Sequence, residues 1–494
     1  MVQKEEFVFF MCYLYNEFSV AVHRQQFVDV QKCSCPTSPT CPTGLTLNCA
    51  EGATFSKRRY LICDYLLFNR IVNFLSMSSH KDRDAIRKLA TELAEVAERP
   101  EQKEKIEGWK KINGLRPHRP MVWITEIPWG ELEGKVTGIT PVCEDPHLIG
   151  IERAMRRTLF TARHLPCDEV VHGTFYVPRV IKGASKDFGI QTKEKRIQQE
   201  GGTSIQSHHY EPVISGPSDI EKIRMPRVRF DEEETLRRKA FFEDLLGDIL
   251  EVKLSGPRVH WFNGWDKLVR WTGVTEALMD LAMRPEYVHA LMRRLTDAFL
   301  SLMDQLEEQN LLGYPHPQRR VGSGAAGYTD ELPRSDCTPG RIRTIDQWGG
   351  ATAQIFSEVS PPMHEEFALQ YEKEVMERCG LNYYGCCEPL HDKMHILAGV
   401  PRLRKISIGP WCDVEEAAEN ADRPYVFSHK PSPAILAEDK FNVERAEKEI
   451  RDRMEKSNGM PCEFVMKDIS TIRGDVKRVI SWCEMAERVA KDSL

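Results

Sequence analysis

Two thiols, a carboxylate and an imidazole fall within six residues at Cys386-Cys387-Glu388-Pro-Leu-His391. Thiolate, imidazole and carboxylate are the side chains that hold zinc or move protons. Similar groups recur at Glu358 after Gln354-Ile-Phe-Ser, at Trp411-Cys412-Asp413, at His429-Lys430 after Tyr425-Val-Phe-Ser, and at Asp468. Glu358 and Glu388 make a candidate acid pair, since partial burial raises a carboxyl pKa toward neutrality; a salt link to Arg402 or Lys430 would make them structural instead. His429 is the third catalytic candidate. Cys387 and His429 are the candidate metal ligands, with zinc as the metal. Successive strand residues point to opposite faces, so at most one of Cys386 and Cys387 is expected to look inward, and Cys387 lies nearer the strand's end. Both thiols as plain core residues is the alternative. Trp123, Trp129 and Trp261, with His260 beside the last, are candidates for the wall of a substrate pocket, although an aromatic stripe also suits a core. Glu126 and Asp468 are the polar substrate-binding candidates.

Eight apolar runs could position these groups as strands: Met121 to Thr125, Val170 to Val177, Val259 to Phe262, Gln354 to Val359, Leu381 to Cys387, Lys405 to Ile408, Tyr425 to Ser428 and Glu463 to Asp468. They alternate with helical stretches such as Thr275 to Asp304 and Pro362 to Arg378, a pattern that implies parallel strands joined by crossover helices. Eight of them suit a closed α/β (β/α)8 TIM barrel with insertions, in which reacting groups sit just past the carboxyl ends of the strands. Residues 182–229 are polar and rich in Gly, Ser and Pro, and are expected to form an excursion over one barrel mouth. The barrel domain is placed at 77–494. Residues 1–76 carry Cys33, Cys35, Cys41 and Cys49 without the spacing of paired zinc hooks, and are expected to be an atypical N-terminal extension outside the fold.

The 494 residues hold 68 Lys and Arg against 74 Asp and Glu, a formal charge of -6. No basic stripe with interleaved aromatics tracks a phosphate backbone, so a nucleic acid is not an expected partner. The apolar run Phe7 to Leu14 is too short to span a bilayer and lacks a small-residue cleavage site, so no membrane association and a cytoplasmic location are expected. Fifteen cysteines spread along such a chain read as free thiols or metal ligands rather than a disulfide framework. Asp145-Pro-His147-Leu-Ile-Gly150 fits the D-x-H-x-x-G pattern that puts an axial His on cobalt, but Ile151 to His164 continues as an Arg-rich amphipathic helix, which makes Asp145 and Pro146 its start.

The stretch Gly264 to Leu300, with Gly273-Val-Thr-Glu-Ala-Leu-Met-Asp-Leu-Ala-Met-Arg-Pro285-Glu286-Tyr-Val-His289 and a following Leu-Thr-Asp, resembles the central helices of the uroporphyrinogen decarboxylase superfamily. Asp346-Gln-Trp-Gly-Gly, Ala353-Gln-Ile-Phe-Ser-Glu358, Pro361-Pro-Met-His-Glu-Glu-Phe and Gly385-Cys-Cys-Glu-Pro extend the likeness over residues 120–490. The resemblance implies a (β/α)8 barrel and either of two chemistries. Decarboxylases of the family grip a tetrapyrrole through an early Arg-Gln-Ala-Gly-Arg loop. This chain has Met121-Val-Trp-Ile-Thr-Glu126-Ile-Pro-Trp129-Gly there, so a heme-pathway lyase is the secondary reading and a non-catalytic binding barrel the third. The other branch moves a methyl group from a small methylated compound, a methyl ether or amine, to a separate corrinoid protein. That branch is the nearer likeness, and it implies a corrinoid supplied in trans and a small-molecule methyl donor, with a homodimer left open. Its thiol-using members hold zinc through His-x-Cys on one strand end and Cys on the last. Here Cys387 matches the first Cys, while Gly385 or Tyr384 stands at the His and Asp468 or Ser470 at the last Cys.

Overall fold

The computed structural model describes residues 79–197, 207–315 and 320–493. The expected extension at 1–76 lies outside them. Among the described residues no helix is long and apolar enough to cross a membrane.

The centre is a parallel sheet of seven strands: β1 (Met121–Ile124), β2 (Val259–Phe262), β3 (Trp348–Ala351), β4 (Leu381–Tyr384), β5 (Leu403–Ile408), β6 (Val426–His429) and β7 (Cys462–Met466). The hydrogen-bonded order is β1-β7-β6-β5-β4-β3-β2, with every pairing parallel. Such strands must be covered on both faces, which explains their almost unbroken burial. The outer face packs on amphipathic helices, including Val443–Lys456, which turns Ala446, Ile450 and Arg453 inward and is capped by Asn442 accepting from Arg445 N at 2.8 Å.

Two of the eight expected strands are corrected. Gln354–Glu358 is a 3-10 turn, and the strand that feeds it is Trp348–Ala351, which the expectation passed over. Its Trp-Gly-Gly-Ala composition carries little strand propensity, and only pairing to neighbours on both sides holds it extended. The Val170 to Val177 run yields a strand at Thr174–Pro178 that pairs with Glu251–Ser255 in a separate two-stranded sheet. Among the described residues no rung joins β1 to β2. The edge of β1 is instead met by Asp168, whose N donates to Val122 O and whose Oδ2 accepts from Val122 N, both at 2.7 Å. Within 182–229, Lys193–Ile197 and Ser207–Glu211 form an antiparallel hairpin.

The inner face of the sheet is lined by the chain itself. Gly327 O accepts from Trp348 Nε1 at 2.8 Å, Ala326 O from Lys405 Nζ at 3.0 Å, and Ala325 N donates to Glu463 Oε1 at 3.0 Å. The segment 321–328 therefore runs up against β3, β5 and β7 in turn. Small residues are required there: a Cβ on Gly324 would lie 2.6 Å from both Glu463 Oε1 and the Tyr383 ring, and one on Gly322 2.5 Å from the Trp261 ring.

Candidate active site

Strand parity decides what faces inward. Lys405 and Ser407 of β5, Val426 and Ser428 of β6, and Glu463 and Val465 of β7 share the inner face, and the same alternation carries it past the strand ends to Lys430 and Lys467. Lys405 Nζ and Glu463 Oε2 form a fully buried ion pair at 2.7 Å. Burial pulls the lysine down and the carboxylate up, but each partner favours the other's charge, and Glu463 stays below its ordinary value. Glu463 Oε1 also accepts from Ser428 Oγ at 2.6 Å.

Above this pair sits Lys430, 2 % exposed. Its Nζ contacts the Tyr383 hydroxyl, Ser428 O at 2.8 Å and Ser428 Oγ at 2.9 Å. Its contacts are neutral oxygens, so burial pushes the amine down to about 7 against the weaker support of Glu463. Tyr383, pushed above its ordinary value by burial, also meets Ser323 Oγ at 3.0 Å.

Three left-handed residues shape the rim just past the strand ends: Glu126 at φ 58, Gly385 at φ 91 and Asp468 at φ 56. For Glu126 and Asp468, two of eight such non-glycine residues among those described, this conformation costs about 1–3 kcal/mol each. The turn at Gly385 takes Cys386 and Cys387 out of strand geometry, and their Sγ atoms lie 3.5 Å apart on one side. The expectation that only one thiol looks inward is corrected for that reason. Cys387 Sγ donates to Asp468 Oδ2 at 3.6 Å and lies 4.0 Å from Lys467 Nζ. Asp468 N donates to Glu126 Oε2 at 2.8 Å, and Glu126 Oε1 accepts from Arg320 Nη1 at 3.0 Å. Burial opposes the charge on Asp468, yet the Lys467 ammonium beside it holds the carboxyl below its ordinary range. The structure thus gathers Cys387, Glu126 and Asp468 on one rim, with Trp123 and Trp261 on the inner face beneath it.

The remaining candidates lie elsewhere. His429 points outward, stacked on Phe464 at 5.0 Å with Nε2 2.9 Å from Ser457 Oγ. Burial pushes it well below its ordinary value. Glu388 is fully buried behind the strand end, accepting from Thr352 Oγ1 at 2.7 Å and Cys386 N at 2.9 Å. There it helps burial push Asp266 up to about 6. Glu358 is exposed on its 3-10 turn. His260 turns outward to Gln347 Oε1 at 2.8 Å and is pushed down to about 4 by burial. Trp129 packs edge-on against Phe160 at 5.7 Å. Glu358, Cys387, Glu388 and His429 therefore do not meet around one hollow.

This placement tests zinc. His429 stands on the opposite face from Cys387, the Lys467 ammonium lies where a cation beside Cys387 would sit, and among the described residues no three His, Cys, Asp or Glu side chains are grouped to hold an ion. The residues do not fit a zinc centre. His147 is exposed just ahead of the Ile149–His164 helix, with its N bound to Asp145 Oδ1 at 2.8 Å, the geometry of a helix start.

The sequence pointed to Lys430 only as a strand-end group and a salt-link partner, and gave no role to Tyr383, Glu463, Lys405, Lys467, Arg320 or Ser323. Parity held the signal for Lys430: Ser428 and Lys430 share a face that His429 does not.

No family model matches the chain, and no curated protein does. Among solved structures it is similar to a methyltransferase from Methanosarcina mazei, at 10% identity over 77% of this chain and 97% of that one, with a TM-score of 0.42.

Proposed function

We propose that the chain is a methyltransferase that takes a methyl group from a small methylated compound, a methyl ether or methylamine, and passes it to a corrinoid protein supplied in trans. The observation that carries this reading is the placement of Lys430 at the carboxyl end of the sheet, a buried amine held by Tyr383 and Ser428 with no carboxylate in contact, which burial pushes down to about 7. Methyl transfer from oxygen or an amine stalls on a poor leaving group, and an acid whose pKa lies near the working pH is the best donor to that heteroatom as its bond to carbon breaks. Ser428 and Tyr383 orient the ammonium, and the Lys405–Glu463 pair fixes Ser428 from below. Trp123 and Trp261 supply apolar surface beneath the rim, while Glu126, Arg320, Lys467 and Asp468 form its polar border. The likeness of Gly385-Cys-Cys-Glu-Pro and the central helices to the uroporphyrinogen decarboxylase superfamily supports a corrinoid protein as methyl acceptor.

The test is to mix the protein with a reduced corrinoid protein and a panel of methyl ethers and methylamines, and to follow methyl-cobalt formation by absorbance. Wild type is expected to form methyl-cobalt with at least one donor, and Lys430→Met about 10²- to 10⁴-fold more slowly with an ether. No methyl-cobalt with any donor rejects transfer to a corrinoid. An undiminished rate in Lys430→Met rejects the amine as the acid.

A further inference from the structure

We propose that Cys386 and Cys387 form a two-electron redox site, which oxidants of the hydroperoxide class convert to a disulfide between these neighbouring residues. In a regular strand these side chains would diverge to opposite faces. The left-handed turn at Gly385 instead brings the two Sγ atoms to 3.5 Å, a hydrogen-bonded approach. Both thiols border the rim, at 9% and 5% exposure.

The surroundings divide the labour. Turned toward Cys386 instead of Asp468, the S–H of Cys387, together with the Lys467 ammonium, pushes Cys386 down against burial, while Cys387 is pushed up. In this proposal Cys386 serves as the nucleophile and Cys387 as the resolving thiol. Cys167, Cys379 and Cys462, buried like these two, are each raised to about 12, so that of the five Cys386 is the one pushed down.

The Cys386 thiolate attacks one peroxide oxygen, the O–O bond breaks, and the other oxygen leaves as hydroxide, which takes up the proton that Cys386 released on ionising and becomes water. The resulting sulfenic acid is attacked by Cys387 sulfur; the S–O bond breaks and the oxygen departs as water with the Cys387 proton. The two sulfurs lose two electrons, the two peroxide oxygens gain them, and two waters form. Adjacent Cα atoms are about 3.8 Å apart, short of the roughly 4.4–6.8 Å that disulfides prefer, so the product is strained and easily reduced. Its formation also removes the S–H that Cys387 donates to Asp468.

The site is tested on the full chain without a methyl donor. The protein is treated with hydrogen peroxide, free thiols are blocked with iodoacetamide, and peptides cut after Tyr384 and Lys393 are weighed. The 385–393 peptide is expected to lose two hydrogens and take no label, then to take two labels after glutathione treatment. Cys387→Ser is expected to stop at a sulfenic acid that dimedone traps, and Cys386→Ser to show neither product. Two thiols still open to iodoacetamide once the protein's other thiols have oxidised, or sulfinic acid formed without disulfide, overturns the proposal. Because the readout is mass, failure here is distinct from failure of the methyltransferase reading, on which the proposal does not rest.

Discussion

Glu463→Gln is the sharpest probe of how the interior is held. The amide keeps an oxygen for Ser428 Oγ and Ala325 N but removes the charge that faces Lys405 at 2.7 Å with both side chains at 0% exposure. Lys405 then retains Ala326 O at 3.0 Å and the faces of Trp109 and Trp348, which do not replace a carboxylate. Removing one partner of a buried pair destabilises by about 3–5 kcal/mol, whereas replacing both with uncharged groups is often neutral. The single variant should therefore lose about 3–5 kcal/mol in urea unfolding, and Lys405→Met/Glu463→Gln should recover most of it, with a coupling energy of at least about 2 kcal/mol. Glu463 is the main influence keeping Lys430 charged against burial, so in Glu463→Gln the pKa of Lys430 should fall below its present value of about 7. Additive single losses, or a loss below about 1 kcal/mol for Glu463→Gln, would refute the ion pair as the anchor of the interior.

Lys430 acts as an acid only when protonated, so the rate of ether demethylation should be level below about pH 7 and fall about tenfold per pH unit above it, to roughly a hundredth at pH 9. A rate that rises through neutrality would show the amine acting as a base. Burial pushes Glu372 up to about 8 from 4.5, so between those values the folded chain holds a proton the unfolded chain has lost, and stability falls as pH rises. Glu372→Gln should remove from that slope a contribution on the order of 5 kcal/mol, measured as urea midpoints from pH 5 to 8; an unchanged slope would place the carboxyl in contact with water. His429→Ala should lose about 2–4 kcal/mol through its lost packing on Phe464 and its bond to Ser457, yet leave the rate per folded molecule unchanged; a selective rate loss would return His429 to the chemistry.

Much of the framework is legible in the chain. The runs at Met121, Val259, Leu381, Lys405, Tyr425 and Glu463 all mark strands, because a strand buried on both faces must be apolar almost throughout. Trp348–Ala351 is not legible, since two glycines chosen for close approach leave no apolar run: a Cβ on Gly350 would lie 2.5 Å from Tyr383 O and one on Gly349 2.5 Å from Cys379 Sγ. Of the residues singled out from the sequence, Cys387, Glu126 and Asp468 lie together on one rim. The reading fails at His429 and Lys430 because the two are neighbours in sequence and opposites in space, so the face is set by pairing register, which a single strand does not reveal. Cys386 shows the reverse: a parity rule applied there misleads, because Gly385 has already ended the strand.

The interior segment explains why so many charges survive inside this sheet. A barrel whose centre is filled by layers of branched apolar side chains offers a lysine nothing to bond. Here a Gly- and Ala-rich stretch of backbone occupies that place, and its carbonyls and amides are themselves obliged to find partners. Lys405 and Trp348 satisfy the carbonyls of Ala326 and Gly327, Glu463 satisfies the amide of Ala325, and Ser323 reaches Tyr383 beside Lys430. The inserted backbone and the buried ion pair therefore depend on each other, and the same arrangement leaves one amine, Lys430, above the pair with only neutral oxygens as contacts. Its reactivity follows from that leftover position: the carboxylate that would have held it fully charged is already committed to Lys405.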